Sequence, residues 1–135
     1  MTNKELAALA VKARESAYAP YSGFFVGAAL LGKGGKVYTG VNIENAAFGP
    51  TNCAERTAFF RAVAEGERSF EAIAVAGWKD GGAPGFAWPC GVCRQVMMEF
   101  CAPDSFRVLV TDGESVKSSL LGEILPYGFG PADLD

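Results

Sequence analysis

The sequence predicts an α/β fold in which helices cover both faces of a mixed β-sheet. The main indication is the order of predicted elements: a helix, two consecutive strands, and then helices alternating with strands. A second indication is composition, because 50% hydrophobic and 20% charged residues are typical of an ordered globular protein. The length of 135 residues predicts one domain spanning residues 1–135.

The first half of the chain predicts a helix, a hairpin and a second helix. Thr2 to Glu5 forms a capping-box pattern, and alanine and leucine then recur at helical spacing until Ala17. The apolar run Phe24–Leu31 predicts a buried strand, and Val37–Val41 returns as its partner after a glycine turn. Asn52 is the predicted N-cap of the second helix, which Gly66 ends.

The second half alternates strands and helices. Its predicted elements are a strand at Phe70–Gly77, a helix at Gly91–Phe100, a strand at Phe106–Thr111 and a short strand near Val116. The segment Lys79–Pro89 holds three glycines and two prolines, which predicts a loop.

Composition excludes several classes of function. The chain has no histidine, so catalytic triads with histidine and zinc sites with two histidines are impossible. The net charge of −3 disfavours nucleic acid as a ligand, and the longest apolar run is too short to cross a membrane. Because Met1–Arg14 lacks the pattern of a signal peptide, we expect a cytoplasmic protein with reduced thiols.

Three cysteines stand at predicted helix starts. Cys90 and Cys93 form a CxxC pair, which by itself indicates a redox dithiol, half of a zinc site or two core cysteines. Cys53 lies at the other helix start, and three thiolates at two converging helix ends would hold zinc. Cys101 follows Cys93 by eight residues, roughly 12 Å along a helix, so it is predicted to be a buried core residue.

With no fourth protein donor in reach, the remaining zinc position is predicted to hold water, as in catalytic sites. Glu55 follows Cys53 by two residues and has two interpretations, a capping-box partner of Asn52 or the group that moves the proton of that water. Arg56 is predicted to donate hydrogen bonds to the sulfurs and to offset their negative charge, although most helical arginines are simply solvated.

Four motifs together resemble the small homotetrameric cytidine deaminases, and the likeness runs from about Tyr18 to Phe129. The motifs are Tyr21–Leu30, Gly40–Ala46, Cys53–Ala58 and Pro89–Gln95. The combination of Cys-x-Glu with Pro-Cys-x-x-Cys is the three-cysteine form of the zinc deaminase signature. The resemblance implies a three-layer α/β/α sandwich around a five-stranded mixed sheet, and one Zn²⁺ per chain held by Cys53, Cys90 and Cys93. It also implies hydrolysis of cytidine and 2′-deoxycytidine to uridine and 2′-deoxyuridine plus ammonia, with Glu55 as proton shuttle.

The resemblance also assigns substrate contacts. By position, Asn42 and Glu44 would hydrogen-bond the ribose 3′-hydroxyl, the backbone N–H of Ala54 would bind the base carbonyl, and Phe24 would flank the pyrimidine. Phe129 matches an aromatic residue that reaches the active site of a neighbouring subunit, so a homotetramer is expected. From the residues alone, Asn42 and Glu44 could also be turn residues, and the two phenylalanines could belong to the core.

Two residues and one loop depart from the family pattern. Phe48 stands where relatives usually carry tyrosine, Trp88 replaces a smaller residue, and the loop from Asp80 to Trp88 is longer and richer in glycine. Three alternatives stay open: a deaminase of the same fold for another aminated nucleoside or nucleoside antibiotic, a non-catalytic zinc-stabilised binding module, and a dithiol redox protein.

Overall fold

A five-stranded β-sheet forms the centre of the computed structural model, which describes all residues 1–135. The strands are β1 (Phe24–Gly32), β2 (Val37–Val41), β3 (Phe70–Lys79), β4 (Arg107–Thr111) and β5 (Val116–Leu120). They lie in the order β2-β1-β3-β4-β5, in which only β3 and β4 run parallel. The predicted mixed sheet is therefore confirmed.

Helices cover both faces of this sheet. They are α1 (Asn3–Arg14), α2 (Ala54–Ala64), α3 (Gly91–Phe100) and the short α4 (Leu121–Ile124), followed by a 3₁₀ turn at Pro131–Leu134. Leu6 and Ala10 of α1 pack on one face, while Phe59 of α2 and Met97 of α3 belong to the core on the other. These three layers confirm the predicted α/β/α sandwich. None of the helices has both the length and the apolar composition needed to cross a bilayer.

The central strand β1 shows why its sequence is a continuous apolar run. Ala28 and Leu30 belong to the core cluster shared with α2 and α3, whereas Ala29 and Leu31 belong to the cluster shared with α1. Because successive side chains of a strand point to opposite faces, a strand covered on both sides needs apolar residues at every position. Phe24, which also lies on β1, therefore shares the face of α2 and α3.

The predicted cap of α2 is wrong. Cys53 is the N-cap, and Asn52 instead exchanges backbone hydrogen bonds with Ile43 on both sides of an isolated β-bridge. This bridge keeps Asn52 extended one residue before the helix, and its side chain donates to Thr57 Oγ1 at 3.1 Å. Glu55 is consequently the second helical residue and not the third, so its interpretation as a capping-box partner of Asn52 is also wrong.

The cap of α1 matches the prediction. The N–H of Glu5 donates to Thr2 Oγ1 at 3.1 Å, and the N–H of Thr2 donates to the Glu5 carboxylate at 3.0 Å. These two bonds satisfy donors that the first helical turn leaves without partners. The helix ends at Arg14, ahead of the Tyr18-Ala19-Pro20 segment that the sequence marks as its limit.

Candidate metal centre and active site

The N-termini of α2 and α3 meet and bring three sulfur atoms together. Cys53 is the N-cap of α2, Cys90 is the N-cap of α3, and Cys93 lies in the first turn of α3. Their Sγ atoms all lie within 4.8 Å of one another, with 3.9 Å between Cys53 and Cys90 and 3.6 Å between Cys90 and Cys93. Cys101, in contrast, ends α3 within the core and is not part of this cluster, as predicted.

The three-sulfur cluster fits a zinc ion. Two sulfurs at Zn–S bonds of about 2.3 Å in a tetrahedron lie roughly 3.8 Å apart, which agrees with the two shorter separations between the cysteines. A hydrogen bond from the thiol of Cys93, together with Arg56, lowers the pKa of Cys53 to about 5, so this ligand is available as a thiolate. Three protein donors leave one tetrahedral position open to a small molecule.

Arg56 holds the sulfur of Cys53. Its Nη2 donates to Cys53 Sγ at 3.2 Å, and this bond raises the pKa of the guanidinium. The Nε atom of Arg56 is buried without an acceptor from the protein. A buried, unpaired donor on a half-buried cation is costly unless negative charge lies nearby, so the guanidinium itself fits a cluster of thiolates.

Glu55 is the buried carboxylate beside the sulfur cluster. It is only 5% exposed, and burial, with a further contribution from the charge of Cys53, raises its pKa to about 7. A carboxyl group with such a pKa takes up and releases protons near neutral pH, which an ordinary surface glutamate does not do. Its position therefore suits proton transfer.

A cavity of about 230 Å³ opens above these groups. Cys53, Cys90 and Glu55 line it, and Phe24 on β1 forms part of its wall. The lining is mainly apolar with a few polar groups, which is typical of small-molecule sites.

Four further cavity-lining residues were not predicted as site residues: Val26, Val75, Ala87 and Trp88. Strand alternation places Val26 on the same face as Phe24, and that pattern could have identified it. Ala87 and Trp88 directly precede Pro89 and Cys90 in the sequence. Their position next to a predicted metal ligand could have identified them as site residues. Trp88 is large and 38% exposed, and it replaces the smaller residue expected there.

Asn42 and Ala54 also line the cavity. The side chain of Asn42 accepts from the N–H of Val26 at 2.9 Å and donates to the carbonyl of Phe24 at 2.7 Å. One amide hydrogen and one lone pair remain for a ligand. Ala54 is the first residue of α2, where backbone N–H groups have no acceptor within the helix.

Glu44 and Phe129 lie outside the lining of the cavity. The carboxylate of Glu44 accepts from the backbone of Tyr21 and Ser22 and from the hydroxyl of Ser22, and this last bond lowers its pKa. Phe129 is 58% exposed, and its carbonyl accepts a hydrogen bond from Gln95 Nε2 at 2.8 Å. Phe129 therefore lies at the surface and does not reach the cavity of its own chain.

Comparison with known proteins gives a consistent result. Residues 1–108 match the model of the cytidine and deoxycytidylate deaminase zinc-binding region. The chain is 47% identical over 134 residues to a cytidine deaminase of Sporosarcina psychrophila, covering 99% of this chain and 96% of that protein. It is 48% identical over 126 residues to a cytidine deaminase of Halalkalibacterium halodurans, covering 93% and 92%.

Solved structures agree with the sequence comparison. A crystal structure of cytidine deaminase from Burkholderia pseudomallei superposes with a TM-score of 0.86 at 47% identity, covering 96% of this chain and 100% of that one. The fold, the sulfur cluster and the matched sequence region thus point to the same zinc-dependent hydrolases, with one zinc ion per chain. The chain belongs to the cytidine and deoxycytidylate deaminase family.

Proposed function

We propose that the chain, as one domain over residues 1–135, hydrolyses cytidine and 2′-deoxycytidine to uridine and 2′-deoxyuridine with release of ammonia. The observation that carries this proposal is the buried carboxylate of Glu55 beside three converging cysteine sulfurs at the base of an apolar cavity. Zinc bound by Cys53, Cys90 and Cys93 supplies a Lewis acid that lowers the pKa of water. The relatives named cytidine deaminase support cytidine as the substrate.

Four residues bind the nucleoside in this proposal. Phe24 packs against the pyrimidine ring, and the free N–H of Ala54 donates to the base carbonyl. The unused donor and acceptor of Asn42 bind the ribose 3′-hydroxyl. Glu44 contributes at the ribose end, where hydrogen bonds from Tyr21 and Ser22 hold its carboxylate in one orientation.

Glu55 moves the protons. It accepts a proton from the attacking water and delivers it to N3 of the base, while the water oxygen forms a bond to C4. It then accepts the remaining proton of the same oxygen and passes it to the amino nitrogen, so that the C4–N bond breaks and ammonia leaves. A pKa of about 7 lets one carboxyl group serve as base and then as acid near neutral pH.

The test is the Glu55→Gln variant, which keeps the size of the side chain and removes its ability to carry a proton. We expect turnover of cytidine, followed by ultraviolet absorbance, to fall about 10²- to 10⁴-fold. Zinc content should stay at one ion per chain, because Glu55 is not a ligand in this account. Glu65→Gln is the matched control, since Glu65 lies exposed at the other end of α2.

Two outcomes of this experiment contradict the proposal. Turnover near the parent value in Glu55→Gln would remove Glu55 from the proton path. A parent protein that binds zinc but leaves cytidine unchanged would instead point to another aminated nucleoside or to a binding module. Cytosine and cytidine monophosphate tested in parallel define the substrate class, and we expect both to react more slowly than the nucleoside.

We also propose a homotetramer in the cytoplasm. Large apolar side chains stay exposed on the single chain, among them Phe48, Phe60, Tyr127 and Phe129. Large apolar side chains that stay exposed often belong to subunit interfaces, and an interface would let Phe129 approach a neighbouring cavity. All four cysteines are free thiols, which supports a reducing compartment.

A further inference from the structure

The backbone of α2 lies directly on the backbone of β2 at Gly40. In the sheet register Gly40 stands opposite Ala28, so both residues face the side of the sheet that carries α2 and α3. A Cβ atom added at Gly40 would lie 2.4 Å from the carbonyl oxygen of Ala54 and 2.5 Å from the N atom of Ala58. These are backbone atoms, so no change of side-chain rotamer relieves the overlap, and the helix itself has to move.

The part of α2 that touches Gly40 is the part that carries the site. Ala54 and Ala58 belong to its first two turns, and the three atoms nearest to the added Cβ all belong to this helix. The same turns contain Glu55 and Arg56, and Cys53 caps them. Cys90 and Cys93 are carried by α3 instead. The distance between α2 and β2 therefore determines where the sulfur of Cys53 lies relative to the sulfurs of Cys90 and Cys93.

A second glycine makes an equally close contact on the opposite face. A Cβ atom at Gly27 would lie 2.2 Å from the carbonyl oxygen of Ala10 and 2.3 Å from the N atom of Arg14, both in the backbone of α1. No residue of α1 lies in the sulfur cluster or lines the cavity. The two glycines thus present the same steric problem, and only one of them adjoins the site.

We propose that Gly40 is a positioning residue for the metal centre. Its missing side chain lets the first turn of α2 lie against β2, which places Cys53 within reach of Cys90 and Cys93 and places Glu55 beside them. This role rests on the proposed function, because it assumes that zinc binds at this site. The measurements that test it are made without cytidine. A failure of the positioning role can therefore be told apart from a failure of the proposed deamination.

The experiment compares Gly40→Ala with Gly27→Ala and Gly34→Ala, all purified with zinc. Gly34 lies in an open turn where an added Cβ touches nothing, so this variant controls for the substitution itself. Each protein is tested for zinc transfer to a chromophoric chelator, for the thiolate-to-metal absorption of its cobalt-substituted form, and for its urea unfolding midpoint.

We expect Gly40→Ala to release zinc at least about tenfold faster than the parent protein and to show altered cobalt absorption. Gly27→Ala should unfold at lower urea but keep the parent release rate and spectrum, because the overlap falls on α1. Gly34→Ala should match the parent in all three measurements. Parent-like release from Gly40→Ala, or equal changes in Gly40→Ala and Gly27→Ala, would overturn the proposal.

A second pair of variants decides the question if Gly40→Ala does not fold. Ala58 and Ala62 are both fully buried in α2, one turn apart, and Ala58 is the one against Gly40. Valine at either position adds the same volume to the same core cluster. We expect faster zinc release only from Ala58→Val, and equal release from Ala58→Val and Ala62→Val would contradict a positioning role for this contact.

Discussion

At the scale of single residues, charge balance dominates the site. Three thiolates and one Zn²⁺ carry a net charge of −1, which weakens the metal as an acid and raises the pKa of groups that lose protons nearby. The guanidinium of Arg56, hydrogen-bonded to Cys53 Sγ, supplies the compensating positive charge. We therefore propose that Arg56 acts on the acidity of the site and not only on the position of one ligand.

Replacing Arg56 by methionine tests this role. Loss of a cation removes stabilisation from the deprotonated form of nearby acids, so their pKa values rise. We expect the acid limb of the kcat/KM profile for cytidine to move up by about one pH unit, since pairing with a close charge is worth about one unit or more. Arg56→Lys should restore part of the shift.

Arg61→Met is the control for this experiment. Arg61 lies in the last turn of α2, far along the helix from the sulfur cluster, and donates a hydrogen bond to the carbonyl of Thr39 on β2. Its removal should leave the pH profile in place. An unchanged acid limb in Arg56→Met would show that the guanidinium does not influence proton loss at the site.

At the scale of elements, the pattern of the sequence predicted nearly every helix and strand. β1 and β2 follow directly from an apolar run and a glycine turn, and α1 follows from its capping box. The four-residue α4 was not predicted, because helical periodicity needs more residues than that to show. The cap of α2 was misplaced because the bridge between Asn52 and Ile43 joins segments whose pairing no local pattern indicates.

The site residues also fall into two groups, those that local sequence features indicate and those that depend on contacts between distant segments. The three cysteines and Glu55 could be found from residue type and from their place at helix starts, since these features are local. Ala87 and Trp88 line the cavity through a loop that folds back onto the sheet, and loop geometry is not encoded by periodicity. The close approach at Gly40 depends on two elements meeting in space, so only the structure identifies it.

At the scale of the whole molecule, assembly is the main prediction. The exposed aromatic residues Phe48, Phe60 and Phe129 leave apolar surface that a monomer would expose to water. We expect light scattering on the zinc-loaded protein to give a mass of four copies of the 14.2 kDa chain. A monomer at micromolar concentration would contradict the homotetramer and would leave Phe129 without a cavity to complete.

All of the proposed chemistry depends on a zinc ion held by three sulfurs with one position open. Zinc K-edge X-ray absorption of the purified protein tests it directly, because sulfur and oxygen ligands differ in bond length. We predict three sulfur neighbours at about 2.3 Å and one oxygen neighbour at about 2.0 Å, contributed by solvent. Four sulfur neighbours, or protein preparations that bind no zinc when it is supplied, would contradict it.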